Sequence, residues 1–333
     1  MKKIKVAING FGRIGRHALK IAMTKKNVEV VAINDLTDTK TLAHLLKYDT
    51  AYPNLVVPVT SDEKNIYVGK KQIMVFVEKD PALLPWKKLG IDVVIESTGR
   101  FTDKEGATKH LAAGAKKVVI SAPSKGEGIE TYVLGVNADT YHGEQIIDNA
   151  SCTTNCAAPI MRVLEKEFGV EKAMLTTVHS YTASQVLQDG PSKDLREARA
   201  AAQNMVPTKT GAAMAVARTI PSLQGKFDGL SVRVPTITVS LTDLTVLLKK
   251  DTTKEALNAT FIQAAKTYLK NIIAVSSEPL VSSDYIGNHY SAIVDLALTN
   301  VVGGNLVKVV AWYDNEWGYA NRLVEMVVLI GRS

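Results

Sequence analysis

The sequence predicts an α/β protein of two domains. Residues 1–150 read as a doubly wound, mostly parallel sheet. Residues 151–315 read as an α+β domain with a largely antiparallel sheet, and 316–333 as a helix that packs back on the first domain. Three observations predict this. A strand-like run near the N-terminus ends in a glycine turn that opens a helix. Apolar runs and helix-spaced segments then alternate. After Cys152 the pattern changes to longer strands in which apolar and polar residues alternate.

Lys3 to Asn9 reads as the first strand, Gly10-Phe11-Gly12-Arg13-Ile14-Gly15 as a tight turn, and Arg16 to Thr24 as a helix with Leu19, Ala22 and Met23 on one face. Val28 to Asn34 is a second apolar strand, followed by Asp35, 20 positions after Gly15. A lone GxGxxG carries little. Strand, glycine turn, helix, strand and acid in this order form a Rossmann-type dinucleotide fingerprint. Gly10 permits the turn, Gly12 lets a pyrophosphate approach the backbone, and Gly15 lets the helix pack on the strand. Asp35 is placed to bind the adenosine ribose hydroxyls and to repel a 2′-phosphate. The bland alternative is a βα turn that binds nothing, and the flanking context argues against it.

Ala51 to Asp80 interrupts the alternation with two β-like pieces, Ile66 to Val68 and Gln72 to Val77, read as an antiparallel excursion. Ile91 to Ser97 is a buried strand, and Thr98-Gly99-Arg100 is the loop at its C-terminal end, where open α/β sheets bind ligands. Lys104 to Ala113 is a helix stopped by Gly114, and Lys117 to Ser121 and Thr131 to Val136 are further strands.

Past Cys152 come a helix to Phe168, a strand from Lys172 to Ser180, and a long weakly patterned stretch from Tyr181 to Thr210, a length that is often functional. Leu230 to Pro235 and Thr238 to Lys249 are strands; the second alternates in the manner of an antiparallel sheet with one covered face. Thr253 to Lys270 is an amphipathic helix with Thr252 or Thr253 as N-cap. Val307 to Tyr313 is a strand and Gly318 to Ile330 the closing helix.

Composition narrows the class. The chain has 333 residues, 46% hydrophobic and 22% charged, and no apolar run approaches the roughly 20 residues of a membrane span. The basic start, Met1-Lys2-Lys3-Ile4-Lys5-Val6, is followed only by short apolar stretches broken by Gly10, Gly12, Arg13 and Arg16, so no signal peptide is expected. Two cysteines four apart form no disulfide framework. A reducing, cytoplasmic setting is expected, with no membrane partner and no metal. The net charge of +7 is spread over dispersed lysines, which suits anionic small substrates better than a specific nucleic-acid surface.

The chemistry centres on Ser151-Cys152-Thr153-Thr154-Asn155-Cys156. Cys152 lies at the start of the predicted helix, where free backbone N–H groups and the helix dipole favour a thiolate. His179 follows 27 positions later, and a thiolate with a histidine base is the equipment of covalent catalysis. A free cysteine is often a buried structural thiol and a lone histidine often a satisfied core residue. Position and flanking hydroxyls argue otherwise for Cys152. For Cys156 the core reading wins.

With these residues stand Asn9-Gly10-Phe11-Gly12-Arg13-Ile14-Gly15-Arg16, Thr210-Gly211-Ala212-Ala213, Arg233-Val234-Pro235-Thr236 and Trp312-Tyr313-Asp314-Asn315-Glu316-Trp317-Gly318-Tyr319, in that chain order. The chain closely resembles the phosphorylating glyceraldehyde-3-phosphate dehydrogenases, nearly end to end. The resemblance implies oxidative phosphorylation of glyceraldehyde 3-phosphate to 1,3-bisphosphoglycerate, with NAD and inorganic phosphate, by a homotetramer. It implies that Cys152 is the nucleophile and His179 its base. Thr182 and Arg233 would hold the substrate's phosphate, and Ser151, Thr153, Thr210 and Gly211 the attacking phosphate. Arg13, Ile14, Asp35, Ser121 and Asn315 would contact the cofactor, Asn315 at the nicotinamide amide, with Lys79 near the adenine end and Thr98 on the ligand-side loop. Leu36 and Pro191 are similar to their counterparts in NAD-specific members.

The sequence departs from the family pattern at four places. Met214 stands where lysine is usual, Glu197 where many members have an arginine that helps hold phosphate, and Lys79 where many have arginine. Tyr48-Asp49-Thr50-Ala51-Tyr52 replaces Tyr-Asp-Ser followed by Val-His-Gly. A relative acting on erythrose 4-phosphate is the nearest rival; Thr210 to Ala213 argue against it. A dinucleotide- or nucleic-acid-binding protein is the rival from another class, and the Cys152/His179 pair argues against that.

Overall fold

A computed structural model describes residues 3–332. Met1 and Lys2 of the basic N-terminal segment, and Ser333 at the end of the expected terminal helix, lie outside the described residues. The described residues form two compact units, 3–132 with Tyr141–Ala150 and 320–332, and Val133–Thr140 with Ser151–Tyr319.

In the first unit the strands are β1 (Ile4–Asn9), β2 (Val28–Asn34), β3 (Val59–Ser61), β4 (Asn65–Val68), β5 (Lys71–Phe76), β6 (Val93–Glu96), β7 (Lys117–Ile120), β8 (Glu130–Thr131) and β9 (Ile146–Asp148). They form one sheet in the order β3-β4-β5-β2-β1-β6-β7-β9-β8. Its helices are α1 (Arg13–Ala22), α2 (Thr39–Lys47), α3 (Trp86–Leu89) and α4 (Lys104–Ala112). From β5 to β8 every pairing is parallel, and only β3·β4 and β4·β5 are antiparallel. The excursion is therefore shorter than the sequence suggests, because β5 already pairs with β2 in parallel. Val6, Ala7, Ile8, Val93, Val94 and Ile95 are fully or almost fully covered, as a sheet packed on both faces requires.

Several expected boundaries move. α1 starts at Arg13 rather than Arg16, because Gly12 serves as its N-cap and Arg16 N–H already bonds to Gly12 O at 3.0 Å. α2 was not expected; its signal was Asp38, whose carboxylate caps Thr41 N–H at 2.9 Å. The strand expected over 131–136 stops at Thr131. Beyond it the chain turns at Gly135 (φ +78) with Asn137 Oδ1 accepting Val133 N–H at 2.9 Å.

The second unit has the strands β10 (Val170–Ser180), β11 (Val206–Lys209), β12 (Phe227–Val234), β13 (Ser240–Leu248), β14 (Ile273–Ser276), β15 (Ala292–Asp295), β16 (Asn300–Val302) and β17 (Leu306–Tyr313). Its helices are α5 (Cys152–Phe168), α6 (Ala212–Thr219), α7 (Lys254–Lys266) and the start of α8 (Trp317–Ile330). The sheet runs β11-β12-β10-β13-β17-β15-β14, with β16 on β17. It is mostly antiparallel, but β10·β12 and β14·β15 are parallel. α5 spans the residues expected of it even though Pro159 lies inside it. α7 ends at Lys266, four residues early, and its cap is Thr253, whose hydroxyl accepts Ala256 N–H at 3.2 Å.

Candidate active site

The position expected of the nucleophile is built from the backbone up. Ala150 is buried and left-handed (φ 54), held by its N–H to Asp148 Oδ1 at 2.8 Å. That conformation costs an alanine about 1–2 kcal/mol, and such strain gathers at functional sites. Ser151 then caps α5: its Oγ accepts Thr154 N–H at 3.1 Å and its carbonyl accepts Asn155 N–H at 2.9 Å. Cys152 opens the helix, with no acid in the first turn.

Cys152 Sγ lies 3.4 Å from His179 Nε2. His179 ends β10 one residue short of Ser180, and the parallel β10·β12 register sets it opposite Arg233. Arg233 Nη1 is 2.6 Å from His179 Nδ1, and Ser180 O is 2.7 Å from the same nitrogen. A guanidinium only donates and a carbonyl only accepts. Nδ1 therefore serves Arg233 when bare and Ser180 when protonated, and the two bonds exclude each other.

Burial and one nearby cation set the charges around the pair. Burial pushes the Cys152 thiol up, while Arg233 and Thr153 pull it down. Burial, then the Arg233 charge, hold His179 down to about 3, against the Ser180 carbonyl and Glu316. Cys152 as a residue is half-buried and His179 almost fully buried. The helix start alone does not make Cys152 a free thiolate: its surroundings favour the neutral thiol–imidazole pair, because each charge would lose water. The ionic pair forms only by moving one proton from Sγ to Nε2, so that each charge supports the other.

The expected phosphate ligands separate into groups. Thr153 turns its hydroxyl inward to Tyr313 Oη (2.9 Å), which also meets Thr177 Oγ1 (2.8 Å). Thr182 follows β10 and pairs its hydroxyl with Ser184 at 2.9 Å. Thr210 and Gly211 line a cleft with Arg196, Lys209, Met214 and Asp228. Thr208 of that cleft donates to Glu197 Oε1 at 2.8 Å, so the carboxylate that replaces the family arginine is anchored on β11.

Asn315 is buried, and its Oδ1 accepts from Ser180 Oγ (2.9 Å) and Ser240 Oγ (3.0 Å). Val239, before Ser240, is left-handed (φ 69), a genuine outlier for a β-branched residue. Its flanking residues both serve the next turn, Thr238 donating to Asp314 and Ser240 to Asn315. The Tyr313, Val239 and Ser240 contributions were missed from the sequence; of the three, only Tyr313 lies in a motif, Trp312 to Tyr319.

In the first unit, Gly10, Gly12, Asp35, Leu36, Lys79 and Thr98 line one groove. Gly10 has φ +90, and a Cβ on it would come within 2.6 Å of Thr98 N. A Cβ on Gly15 would meet Gly10 O at 2.3 Å, whereas the space at Gly12 is open. These are the three separate demands the fingerprint makes. α1 carries no side-chain cap and no acid in its first turn, a helix start whose dipole favours an anion such as a pyrophosphate. Asp35 accepts Phe11 N–H at 2.7 Å and Thr37 N–H at 3.0 Å, which fixes the carboxylate at the end of β2. The residues present fit a dinucleotide.

Arg13 and Ile14 begin α1, and Ser121 follows β7 with its N–H on Glu96 O at 2.9 Å. Arg13 is bonded to Asp49 at 2.7 Å and lies over the Tyr52 ring. The departing Tyr48 to Tyr52 segment thus has a structural task, bracketing Arg13. Cys156 is fully buried, and burial pushes its thiol up, as a core residue's would be.

A family model for the glyceraldehyde 3-phosphate dehydrogenase NAD-binding domain matches residues 4–104, and one for the C-terminal domain matches 151–315. Glyceraldehyde-3-phosphate dehydrogenase 1 of Bacillus cereus is 55% identical over 324 residues, 97% of either chain. The glyceraldehyde-3-phosphate dehydrogenase of Geobacillus stearothermophilus is 53% identical over 329 residues, 98% of either chain. Glyceraldehyde-3-phosphate dehydrogenase 1 of Bacillus subtilis is 52% identical over 332 residues, 99% of either chain.

Proposed function

The chain belongs to the glyceraldehyde-3-phosphate dehydrogenase family, and from that premise we propose that it oxidises and phosphorylates D-glyceraldehyde 3-phosphate to 1,3-bisphosphoglycerate through Cys152. It is an NAD-dependent oxidoreductase of glycolysis. The observation that carries the residue assignment is the 3.4 Å contact of Cys152 Sγ with His179 Nε2 at the start of α5.

Sγ gives its proton to Nε2 and attacks the aldehyde carbon, forming a thiohemiacetal whose oxygen takes up the charge. The Cys152 N–H at the helix start and the protonated His179 stabilise that oxygen. NAD, when bound, supplies the acceptor for the hydride that the thiohemiacetal carbon loses, leaving a thioester on Sγ. His179 holds the released proton. Inorganic phosphate attacks the thioester carbonyl, the C–S bond breaks, and an acyl phosphate leaves. Thr182 and Arg233 hold the substrate's phosphate; its negative charge offsets the Arg233 charge on His179 and frees Nδ1 for Ser180. Ser151, Thr153, Thr210 and Gly211 serve the attacking phosphate. Gly10, Gly12, Arg13, Ile14, Gly15, Asp35, Lys79, Thr98, Ser121 and Asn315 serve the cofactor.

Residues 1–150 with the terminal helix act as the NAD-binding domain and 151–315 as the catalytic domain. The functional assembly is a homotetramer in the cytoplasm. Apolar side chains that stay exposed in the second unit support self-association: Met174 and Val178 on β10, Leu230 on β12, and Leu187 and Leu195 in the long loop. Among the described residues no helix is long and apolar enough to cross a membrane.

The test is NADH formation from glyceraldehyde 3-phosphate and NAD with and without inorganic phosphate. Strict phosphate dependence is expected. Equal rates without phosphate would mean that water deacylates the thioester, which overturns the phosphorylating reading.

A further inference from the structure

The neighbouring parallel strands β2, β1 and β6 end in Asn34, Asn9 and Glu96, which stand in register across the sheet. All three are buried, and their side chains form one row. Asn34 Oδ1 accepts Glu78 N–H at 2.9 Å, and Asn34 Nδ2 donates to Glu78 O at 2.9 Å and to Asn9 Oδ1 at 2.7 Å. Asn9 Nδ2 donates to Glu96 Oε2 at 2.6 Å.

From the other side, Trp86 Nε1 reaches His110 Nδ1 at 3.1 Å. An indole nitrogen only donates, so Nδ1 accepts and the His110 proton sits on Nε2, which donates to Glu96 Oε2 at 3.0 Å. Glu96 Oε1 takes the Thr98 N–H at 2.8 Å and also the Thr98 hydroxyl. Four donors surround this carboxylate, and none of the four comes from a lysine or arginine. Burying a carboxylate without such a cation costs folding free energy, which these four hydrogen bonds offset only by all being held in place.

What the row holds in place lies on one groove. Asn9, Asn34, Glu78, Lys79 and Thr98 all line it, together with Gly10 and Asp35. Glu96 and His110 do not. Thr98 spends both its N–H and its hydroxyl on Glu96, and its backbone lies against Gly10 so closely that no Cβ fits between them.

We propose that Glu96 is a positioning residue of the dinucleotide groove. Its carboxylate ties down the Thr98 loop and, through Asn9 and Asn34, the Glu78–Lys79 edge, so the groove is preformed for the adenosine half of the cofactor. This rests on the reading of that groove as the NAD site. Binding needs no reordering of the two walls, and affinity depends on a residue that never touches the ligand.

Glu96→Gln tests this: it keeps the size but turns part of the acceptor set into N–H donors facing other donors. ADP-ribose and NAD binding is measured by titration calorimetry on the full chain. The dissociation constants of both are expected to rise about tenfold, the loss of one hydrogen bond to a charged group. Iodoacetamide alkylation of Cys152 without cofactor is expected to stay unchanged, a split that general loosening of the fold would not produce. Dissociation constants within twofold of the unaltered chain overturn the proposal. Should Glu96→Gln not fold, His110→Leu carries the test, since it withdraws one donor from Glu96 without altering a groove-lining residue. A rise of severalfold supports the proposal and no rise overturns it. If ADP-ribose fails to bind even the unaltered chain, it is the NAD reading of the groove that fails.

Discussion

His179 and Arg233 stand opposite one another in adjacent parallel strands, and their register brings Arg233 Nη1 to 2.6 Å from His179 Nδ1. One arginine therefore acts on both members of the Cys152–His179 pair: it pulls the thiol down and holds the imidazole in its neutral form. Arg233→Gln should raise both the Cys152 thiol and the His179 imidazole and so move the pH dependence of Cys152 alkylation to higher pH. The check is the pH profile of iodoacetamide alkylation, and an unmoved profile would sink the coupling.

The same burial makes His179 an acid-labile point. Its pKa in the fold is about 3, against 6.5 for the free side chain. Between those values the unfolded chain binds a proton that the folded chain refuses, so stability falls as pH drops from about 6.5 towards 3 and rises again with pH. At pH 5 the contribution is about 2 kcal/mol. Denaturant melts of His179→Gln and the unaltered chain at pH 7 and pH 5 should show a smaller acid loss in the variant, by about that amount. Equal losses would contradict the neutral imidazole.

Cys152→Ser leaves the helix cap and the groove in place but replaces the sulfur nucleophile with a far weaker one. Dehydrogenase activity should fall by roughly 10⁴-fold or more, while NAD binding by calorimetry stays within twofold. Substantial remaining activity would rule out Cys152 as the nucleophile.

Asp35 meets the backbone of the glycine turn as well as the expected ribose position. Asp35→Asn keeps an acceptor for Phe11 N–H but removes the charge that repels a 2′-phosphate. The ratio of kcat/KM for NAD over NADP should drop about tenfold or more, at least 1.4 kcal/mol of lost discrimination. An unchanged ratio would remove Asp35 from cofactor selection.

Glu197 holds a carboxylate on Thr208, a residue of the cleft that also contains Thr210 and Gly211. Glu197→Arg should lower the KM for inorganic phosphate severalfold, since it exchanges repulsion for a guanidinium fork. The KM for glyceraldehyde 3-phosphate should move little. A phosphate KM that does not fall would place attacking phosphate elsewhere.

Much of the fold was legible because the signals are local. The glycine turn reports its own sterics, and Gly10, Gly12 and Gly15 each meet a different spatial demand. α5 was readable from Cys152 to Phe168 because its helical periodicity is local, though its Ser151 cap was not seen in advance. His110 was passed over, since its partners Trp86 and Glu96 are 24 and 14 positions away. A faint signal existed: the buried strands β1, β2 and β6 each end in a polar residue, Asn9, Asn34 and Glu96.

The sequence by itself determined the class of the fold, the dinucleotide fingerprint, and Cys152 with His179 as the pair to watch. These rest on periodicity, turn chemistry and motif order, all of which act over a few residues. Only the tertiary structure decided the protonation balance of the pair, because that depends on burial and on a guanidinium brought in by strand register from 54 positions away. It also decided that Thr153 faces Tyr313, that Asp49 and Tyr52 bracket Arg13, and that Glu96 collects hydrogen bonds from Thr98, Asn9 and His110. Desolvation and charge act through space, and the distances that govern them exist only once distant strands lie side by side.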